Sequence, residues 1–191
     1  MNTPIKPKLQ RFQTATAFAC PICQLDLELV GTSFKCPKGH SFDLAKFGYV
    51  NLAPQIKQSK DYDKENFQNR QLILEAGFYE PILTAIGQKI PTSDAKILDI
   101  GCGEGSHLSW LSKRVKAPLC GMDIVKEGIH QASVHFGNQA LFFLGDLADL
   151  PFEDESCGTL LNILTPSNYQ EFMRVLAPGG TLVKVIPDND N

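Results

Sequence analysis

Four candidate metal ligands lie close together near the N-terminus and limit the possible folds more than any other feature. Cys20 and Cys23 are separated by two residues, and Cys36 and His40 by three. Each pair begins with Cys-Pro and encloses a short turn, so that its two side chains can converge on one ion. Between the pairs, residues 25–35 alternate around a glycine, which predicts two strands joined by a turn. The sequence therefore predicts a zinc ribbon.

The predicted site has three thiolates and one imidazole. Four protein ligands leave no open position for a catalytic water, so the Zn²⁺ would be structural. A Cys20–Cys36 disulfide, or four unrelated buried residues, is the alternative. A ribbon of about thirty residues buries too little apolar surface to fold alone, so metal binding should supply much of its stability.

The end of the predicted ribbon, which we assign to residues 15–52, is rich in aromatic residues. These are Phe42, Phe47 and Tyr49, with Lys46 between them. Stacking faces beside a cation are the combination that single-stranded RNA binding uses. More often such residues form the small core of the ribbon itself, which we expect for Phe42 and Phe47, whereas the role of Tyr49 stays open.

The sequence predicts a polar linker followed by two helices at residues 53–92. The linker becomes helical near Asp61 or Asp63, either of which could cap the helix. A helical period of apolar residues follows and is interrupted at residues 77–80. Tyr79, at this joint, is either a packing residue or a lid over a bound ligand.

A glycine-rich turn follows the next predicted strand, residues 96–100. Gly101, Gly103 and Gly105 would let the backbone approach a ligand closely at the start of a helix. Their spacing is neither the dinucleotide fingerprint nor the phosphate-loop pattern. Asp99, at the end of the strand, would repel a pyrophosphate but suits a ligand that has an ammonium group and no phosphates.

The rest of the chain alternates between strands and helices. Asp123 ends the second strand about twenty residues beyond the glycines, the offset at which an acidic residue holds ribose hydroxyls. Further strands are predicted at residues 141–144, 158–164 and 181–186, with helices between them. This alternation predicts an α/β fold with a parallel, doubly wound sheet that binds its ligand at the carboxyl ends of the strands.

Two sets of motifs carry a family resemblance. The run DIGCGEG at residues 99–105, with Asp123, Asp146 and PGG at residues 178–180, is similar to class I S-adenosylmethionine-dependent methyltransferases. The four metal ligands, FDLAKFGYVNL at residues 42–52 and AGFY at residues 76–79 resemble more specifically the large-subunit (23S) ribosomal RNA (guanine-N1)-methyltransferase family. The resemblance spans about residues 18–186.

The resemblance implies a Rossmann-like class I methyltransferase core at residues 93–191, behind the zinc ribbon. The glycine turn would hold the methionine end of S-adenosylmethionine, with Asp99 near its ammonium group. Asp123 would accept from the ribose hydroxyls, Asp146 and Leu147 would border the adenine, and Tyr79 would close over the cofactor. The implied cofactor-binding set is Tyr79, Asp99, Gly101, Gly103, Glu104, Gly105, His107, Asp123, Ile124, Asp146 and Leu147.

The implied reaction is methyl transfer to guanine N1 in a loop of large-subunit ribosomal RNA. N1 must lose its proton, but the sequence identifies no base, because Glu104, His107 and Asp149 each have another role available. Asn162 and Pro166 do not reproduce the Asn-Pro-Pro motif of base-amino methyltransferases, which speaks against an exocyclic amine as target. A methyltransferase acting on a small molecule or a protein, or a non-catalytic zinc-ribbon RNA-binding fragment, is the alternative.

Charge and hydropathy limit the partners and the location. The first 70 residues hold ten Lys and Arg against six Asp and Glu, whereas the rest hold eight against fifteen. The basic front is the better candidate for contact with RNA, unless the charges are only unevenly scattered. No apolar run reaches the roughly 18 residues of a spanning helix, and no secretory signal is evident. We therefore expect a cytoplasmic protein with no membrane partner and a possible homodimer.

The predicted core is short for a methyltransferase domain. Only five residues follow the fifth strand, residues 181–186, whereas the family continues with a further helix and an antiparallel hairpin. We therefore expect a core that is truncated after the fifth strand. Cofactor binding could survive this loss, and substrate selection and turnover would be most affected.

Overall fold

Three short antiparallel strands follow the first cysteine pair in the computed structural model, which describes Phe12 and residues 17–57, 64–93 and 95–188. They are β1 (Glu28–Val30), β2 (Ser33–Lys35) and β3 (Ser41–Asp43). Phe34 of β2 lies opposite Leu29 on one side and Phe42 on the other. The predicted hairpin is present and gains β3 as a third strand. Ala15, Asp61, Asp63 and residues 189–191 lie outside the described residues, so the predicted helix caps and the outer limits of the ribbon and the core remain predictions.

The larger sheet contains six parallel strands within the described part of the chain. They are β4 (Tyr49–Asn51), β5 (Ile97–Ile100), β6 (Leu119–Asp123), β7 (Leu141–Leu144), β8 (Cys157–Ile163) and β9 (Leu176–Val185). Their order in space is β4-β7-β6-β5-β8-β9. From β7 to β9 this is the order of doubly wound folds, which bind ligands where the direction of strand addition reverses, here beside β5. The predicted parallel sheet is confirmed.

β4 lies in the range that we assigned to the ribbon, yet it extends the larger sheet. Tyr49 and Val50 are buried and pair with Phe142 and Phe143 of β7. The backbone N–H of Leu52 also donates to the carbonyl of Leu144 at 2.9 Å. The ribbon therefore leads directly into an edge strand that covers β7.

Five helices are described around the larger sheet. They are α1 (Lys64–Glu75), α2 (Glu80–Lys89), α3 (Ser106–Ser112), α4 (Lys126–Phe136) and α5 (Tyr169–Val175). The chain turns between α1 and α2 at Gly77, whose φ of +84° favours glycine. In the described segments, no helix combines the length and the apolar character needed to cross a membrane.

One continuous apolar core joins the ribbon to the larger sheet. The ring of Phe18 packs edge-on against Phe34 of β2 and Phe143 of β7, with centroid distances of 5.3 and 5.0 Å. Phe152 lies 5.1 Å away on the sheet side. All four rings are fully buried. The ribbon and the sheet therefore share their packing rather than having separate interiors.

Candidate cofactor and metal sites

The four predicted metal ligands converge on one point of the ribbon. The ligand atoms of Cys20, Cys23, Cys36 and His40 all lie within 4.8 Å of one another. The Nδ1 atom of His40 is 3.5 and 3.3 Å from the Sγ atoms of Cys20 and Cys36, and the Sγ atoms of Cys23 and Cys36 are 3.6 Å apart. These separations approach the edges of a zinc tetrahedron, about 3.8 Å between two thiolates. Cys20 and Cys36 are free, so the disulfide alternative is wrong.

The second turn of the ribbon prepares Cys36 for metal binding. The N–H of Gly39 donates to the carbonyl of Cys36 at 2.9 Å, and Gly39 has a φ of +85°. Burial opposes ionisation of Cys36, but hydrogen bonds with the backbone at His40 and with the Cys23 thiol lower its pKa to about 6. Because the thiolate is the form that binds metal, the donor set fits a structural Zn²⁺.

A cavity of about 540 Å³ lies at the carboxyl ends of β5, β6, β7 and β8. This volume is within the range of small-molecule sites, roughly 300–1,000 Å³, and the cavity lies where doubly wound sheets bind their ligands. The cavity is lined by residues from α1, from the joint between α1 and α2, and from four strand ends: Phe67, Arg70, Tyr79, Ile100, Gly101, Met122, Asp123, Ile124, Val125, Gly145, Leu147, Leu164, Thr165 and Pro166.

The glycine turn between β5 and α3 leaves no room for side chains. Gly101 and Gly105 have φ values of +80° and +81°. A Cβ atom on Gly101 would lie 2.4 Å from Cγ2 of Thr165, and one on Gly105 would lie 2.8 Å from the ring of Phe142. The backbone therefore packs directly against the neighbouring strand ends and presents Gly101 to the cavity.

Unpartnered carboxylate oxygens lie behind this turn. Asp99 is fully buried, and neither of its carboxylate oxygens has a hydrogen-bond partner in the described part of the protein. Glu104 is also buried, and its Oε2 lacks a hydrogen bond although Nε of Arg70 is 3.7 Å away. Burial and repulsion from Asp123 and Glu104 raise the pKa of Asp99 to about 7, although the attraction of Arg70 opposes this shift. Such orphaned acceptors fit a ligand that brings an ammonium group.

Asp123 is held firmly at the end of β6. Its two carboxylate oxygens accept hydrogen bonds from the N–H groups of Gly103 and Val125, both at 2.8 Å. Burial raises the pKa of Asp123, while these two backbone donors lower it. Asp123 lines the cavity, and because a carboxylate has about four acceptor sites it can also accept from ligand hydroxyls.

The expected cofactor residues divide into two groups. Five of them line the cavity, Tyr79, Gly101, Asp123, Ile124 and Leu147, whereas six are not part of its lining, Asp99, Gly103, Glu104, Gly105, His107 and Asp146. The ring of His107 is buried beside that of Tyr79, with centroids 5.3 Å apart, and burial together with nearby Arg70 lowers the pKa of His107 to about 4. His107 is therefore neutral near pH 7.

Asp146 and Asp149 shape the loop that carries Leu147. Asp146 Oδ1 accepts from the N–H of Ala148 at 2.8 Å, inside its own loop. The carboxylate of Asp149 accepts from the side-chain amide of Gln24 in the ribbon, at 3.0 Å for each oxygen. Asp149 thus faces the ribbon.

Our sequence analysis missed two parts of the cavity wall. Phe67 and Arg70 come from α1, whose polar composition indicated only a solvated linker and lead-in helix. Thr165 and Pro166 belong to the loop after β8, where Leu164 has an unusual φ of +55°. The spacing of Phe67 and Arg70 by three residues, on one helix face, is the signal that could have found them.

The comparisons with known proteins agree with this architecture. Residues 18–60 match the family described as "RlmA, N-terminal", a zinc ribbon, and residues 97–180 match the family described as "Methyltransferase domain". The larger sheet and its helices resemble the crystal structure of a provisionally named S-adenosyl-L-methionine-dependent methyltransferase from Methanococcus maripaludis. The TM-score is 0.56 at 20% identity, covering 68% of this chain and 67% of that one, which supports the fold.

Two curated relatives match both parts of the chain. Bacillus subtilis (strain 168) YxjB, provisionally named a 23S rRNA (guanine-N(1)-)-methyltransferase, is 40% identical over 195 residues, covering 95% of this chain and 68% of the relative. The 23S rRNA (guanine(748)-N(1))-methyltransferase of Streptomyces fradiae is 30% identical over 179 residues, covering 90% and 64%. The chain thus spans about two thirds of the length of these relatives. On this similarity, the chain belongs to the 23S rRNA (guanine-N1)-methyltransferase family.

Proposed function

We propose that this chain transfers a methyl group from S-adenosylmethionine to N1 of a guanine in large-subunit ribosomal RNA. The observation that carries the proposal is that one continuous core joins a Cys3His ribbon to a sheet whose glycine turn lines a cavity and has orphaned carboxylates behind it. Both relatives described above are named for this reaction. The structural zinc and the methyl donor would be the two cofactors.

Residues in the cavity wall and behind the glycine turn would bind the two ends of the cofactor in different ways. Asp99 and Glu104 would accept from the ammonium group, and Arg70, the cation in the described cavity wall, would bind the carboxylate. Asp123 would hold the ribose hydroxyls, while Ile124 and Leu147 would lie against the adenine. When bound, the cofactor supplies an electrophilic methyl group.

The mouth of the cavity presents apolar side chains that suit an unpaired base. Leu164, at the start of the loop after β8, lines the cavity and is 45% exposed. The ring of Phe78 is 70% exposed and lies 5.2 Å from that of Tyr79, which also lines the cavity. Guanine N1 lies on the Watson–Crick edge, so the base must come from a loop or be flipped out of a helix. Stacking on the exposed Phe78 ring would orient it toward the donor, and alignment is the main demand of a transfer from a strong methyl donor. We assign no general base.

Exposed lysines on the ribbon would bind the RNA backbone. Lys35, Lys38 and Lys46 are exposed on or near the ribbon strands. Contacts of this kind release counterions, so affinity should fall steeply with salt. Because the ribbon shares its core with the sheet, deleting it would disrupt the fold. Replacing the three lysines by glutamine is the better test, and a triple variant with unchanged affinity and salt dependence would contradict this role.

We further infer the organisation, location and assembly of the protein. The ribbon would act as the RNA-gripping domain, α1 and α2 as a cover, and residues 93–191 as the cofactor-binding core. A protein with this substrate would work in the cytoplasm without a membrane partner. The possible homodimer stays a prediction, which sedimentation velocity with and without RNA would check.

The decisive experiment is methyl transfer to unmodified 23S ribosomal RNA from tritium-labelled cofactor. We expect label in RNA and a stop in primer extension at one guanine, because a methyl on N1 blocks base pairing. Asp123→Ala should abolish transfer, whereas Asp26→Asn, on the exposed surface of the ribbon, should not. Label on the exocyclic amine, or only on protein or small molecules, would contradict the proposal.

A further inference from the structure

A side-chain hydrogen bond connects the first zinc-binding turn to the loop that carries the cavity residue Leu147. Gln24 directly follows the metal ligand Cys23, and its amide nitrogen is 3.0 Å from both carboxylate oxygens of Asp149. Both residues are exposed, so the pair is not part of the buried core. An amide that donates to both oxygens of a carboxylate fixes the relative position of the two loops.

The position of Gln24 depends on the metal-binding turn. Its N–H donates to the carbonyl of Cys20 at 2.8 Å, and its φ is +59°. That left-handed conformation is uncommon for a residue with a Cβ atom, so the surrounding turn must impose it. Ligation of one ion by Cys20 and Cys23 would hold this same turn closed. Metal binding would therefore stabilise the position of Gln24.

Asp149 belongs to a tight loop that carries cavity residues. Its N–H donates to the carbonyl of Asp146 at 3.2 Å, which closes a turn around Leu147. Gly145 and Leu147 line the cavity. On the far side, the Asn168 side chain donates to the carbonyl of Leu147 at 3.2 Å. The loop is thus held between α5 and the zinc turn, and Leu147 lies between the two supports.

Backbone hydrogen bonds near the Gln24–Asp149 pair also connect the ribbon to the cavity loop. The N–H of Ala19 donates to the carbonyl of Pro151 at 3.2 Å, and the N–H of Glu153 donates to the carbonyl of Ala17 at 3.0 Å. Together with Phe18 these bonds join the segment before the first zinc-binding turn to the segment after the cavity loop. The zinc turn and this loop therefore form one unit.

We propose that the first zinc-binding turn positions the cofactor loop through the Gln24–Asp149 pair, so that zinc binding and cofactor binding strengthen each other. Gln24 and Asp149 act as positioning residues through Leu147. This inference rests on the proposed function in one respect, because it takes the cavity to be the cofactor site. Coupling of this kind is reciprocal by thermodynamic necessity.

Exchanging the amide of Gln24 and the carboxylate of Asp149 between the two positions tests the proposal in zinc-loaded protein. Gln24→Glu places two carboxylates together. Asp149→Asn leaves one amide oxygen to accept from Gln24 and removes the charge-assisted contact to two oxygens. The double variant restores one amide and one carboxylate in reversed positions. We expect each single variant to bind S-adenosylhomocysteine about 3- to 10-fold more weakly by calorimetry, and the double variant to recover to within about twofold. Asp43→Asn, which removes the charge of an exposed ribbon carboxylate that accepts from Ser33 at 2.6 Å, is the matched control and should bind normally.

Zinc affinity supplies the second readout. Competition with a chromophoric chelator should show that S-adenosylhomocysteine tightens zinc binding about 3- to 10-fold in the wild type and the double variant, and less than about twofold in the single variants. Single variants with wild-type cofactor affinity, or an equal effect on zinc in all variants, would overturn this inference alone. A wild-type protein that binds no S-adenosylhomocysteine would overturn the cofactor site as well.

Discussion

Asp99 shows how a single residue can exchange stability for binding. Its carboxylate is buried without a hydrogen-bond partner among the described residues, which is costly for a charged group. A cationic ligand group placed beside it would recover part of that cost. We therefore expect Asp99 to destabilise the empty protein and to stabilise the complex.

Replacing Asp99 by asparagine tests this exchange. Burial holds the pKa of Asp99 at about 7 in the folded protein, above the value of about 3.9 in an unfolded chain. Proton binding by Asp99 therefore stabilises the folded protein fully below about pH 4, and this stabilisation is lost as the pH rises through about 7. Thermal unfolding should show Asp99→Asn to be more stable than the wild type at pH 8, with the difference shrinking toward pH 5.

The same variant should bind S-adenosylhomocysteine at least about tenfold more weakly, because a charge-assisted hydrogen bond is lost. Asp26→Asn, an exposed ribbon residue, is the control for both measurements. A variant that is no more stable at pH 8 than at pH 5, relative to the wild type, would show that Asp99 is not held protonated.

Arg70 gives a second test, in which the ligand is changed together with the residue. Arg70→Met should weaken binding of S-adenosylhomocysteine about tenfold or more but leave methylthioadenosine, which lacks the carboxylate and the ammonium group, within about twofold. Lys113→Met, on the exposed end of α3, should change neither affinity. Equal losses for both ligands by calorimetry would place Arg70 elsewhere than at the carboxylate.

Among the structural elements, the turn between β5 and α3 depends most on its exact residues. Gly101 and Gly179 both have left-handed φ values, +80° and +75°. A Cβ atom on Gly179 would meet nothing within 4 Å, whereas one on Gly101 would meet Thr165. Alanine at Gly179 would therefore introduce backbone strain alone, whereas alanine at Gly101 would introduce backbone strain and a steric clash.

Alanine at these two positions should have unequal effects in urea unfolding. Gly179→Ala should cost about 1 kcal/mol, the usual penalty of the left-handed region. Gly101→Ala should cost about 1–3 kcal/mol more, as overpacking does, and should also weaken cofactor binding. Adding Thr165→Ser removes the methyl group at 2.4 Å and should recover part of the loss. Equal costs for the two glycine variants would contradict this account of the turn.

How far each element could be predicted depends on how local its signal is. The zinc turns and the glycine turn could be identified because a few consecutive residues encode them. The sequence could not indicate that β4 joins the larger sheet, because Tyr49 pairs with Phe142 far along the chain. Arg70 was missed for a similar reason. Its role depends on how α1 packs over Glu104, which no local pattern specifies.

At the scale of the whole molecule, the shared core makes the ribbon and the sheet depend on each other. Phe18→Ala removes a fully buried ring that packs against both. We expect a loss of about 3–5 kcal/mol in the free energy of unfolding, and faster release of zinc to a chelator. Phe78→Ala, at a ring that is 70% exposed, should change the stability by less than about 0.5 kcal/mol. Loss of stability without faster zinc release would show that the two parts unfold separately.

The placement of β4 also sets an order for biogenesis. All four zinc ligands precede Tyr49–Asn51, but β7, the partner of that strand, is Leu141–Leu144. At usual rates of translation the partner follows on the order of 10 s later. A nascent chain can thus acquire its metal while Tyr49 and Val50 are still unpaired. Metal uptake would then come first, and β4 could pair with β7 only after the ribosome has synthesised that strand.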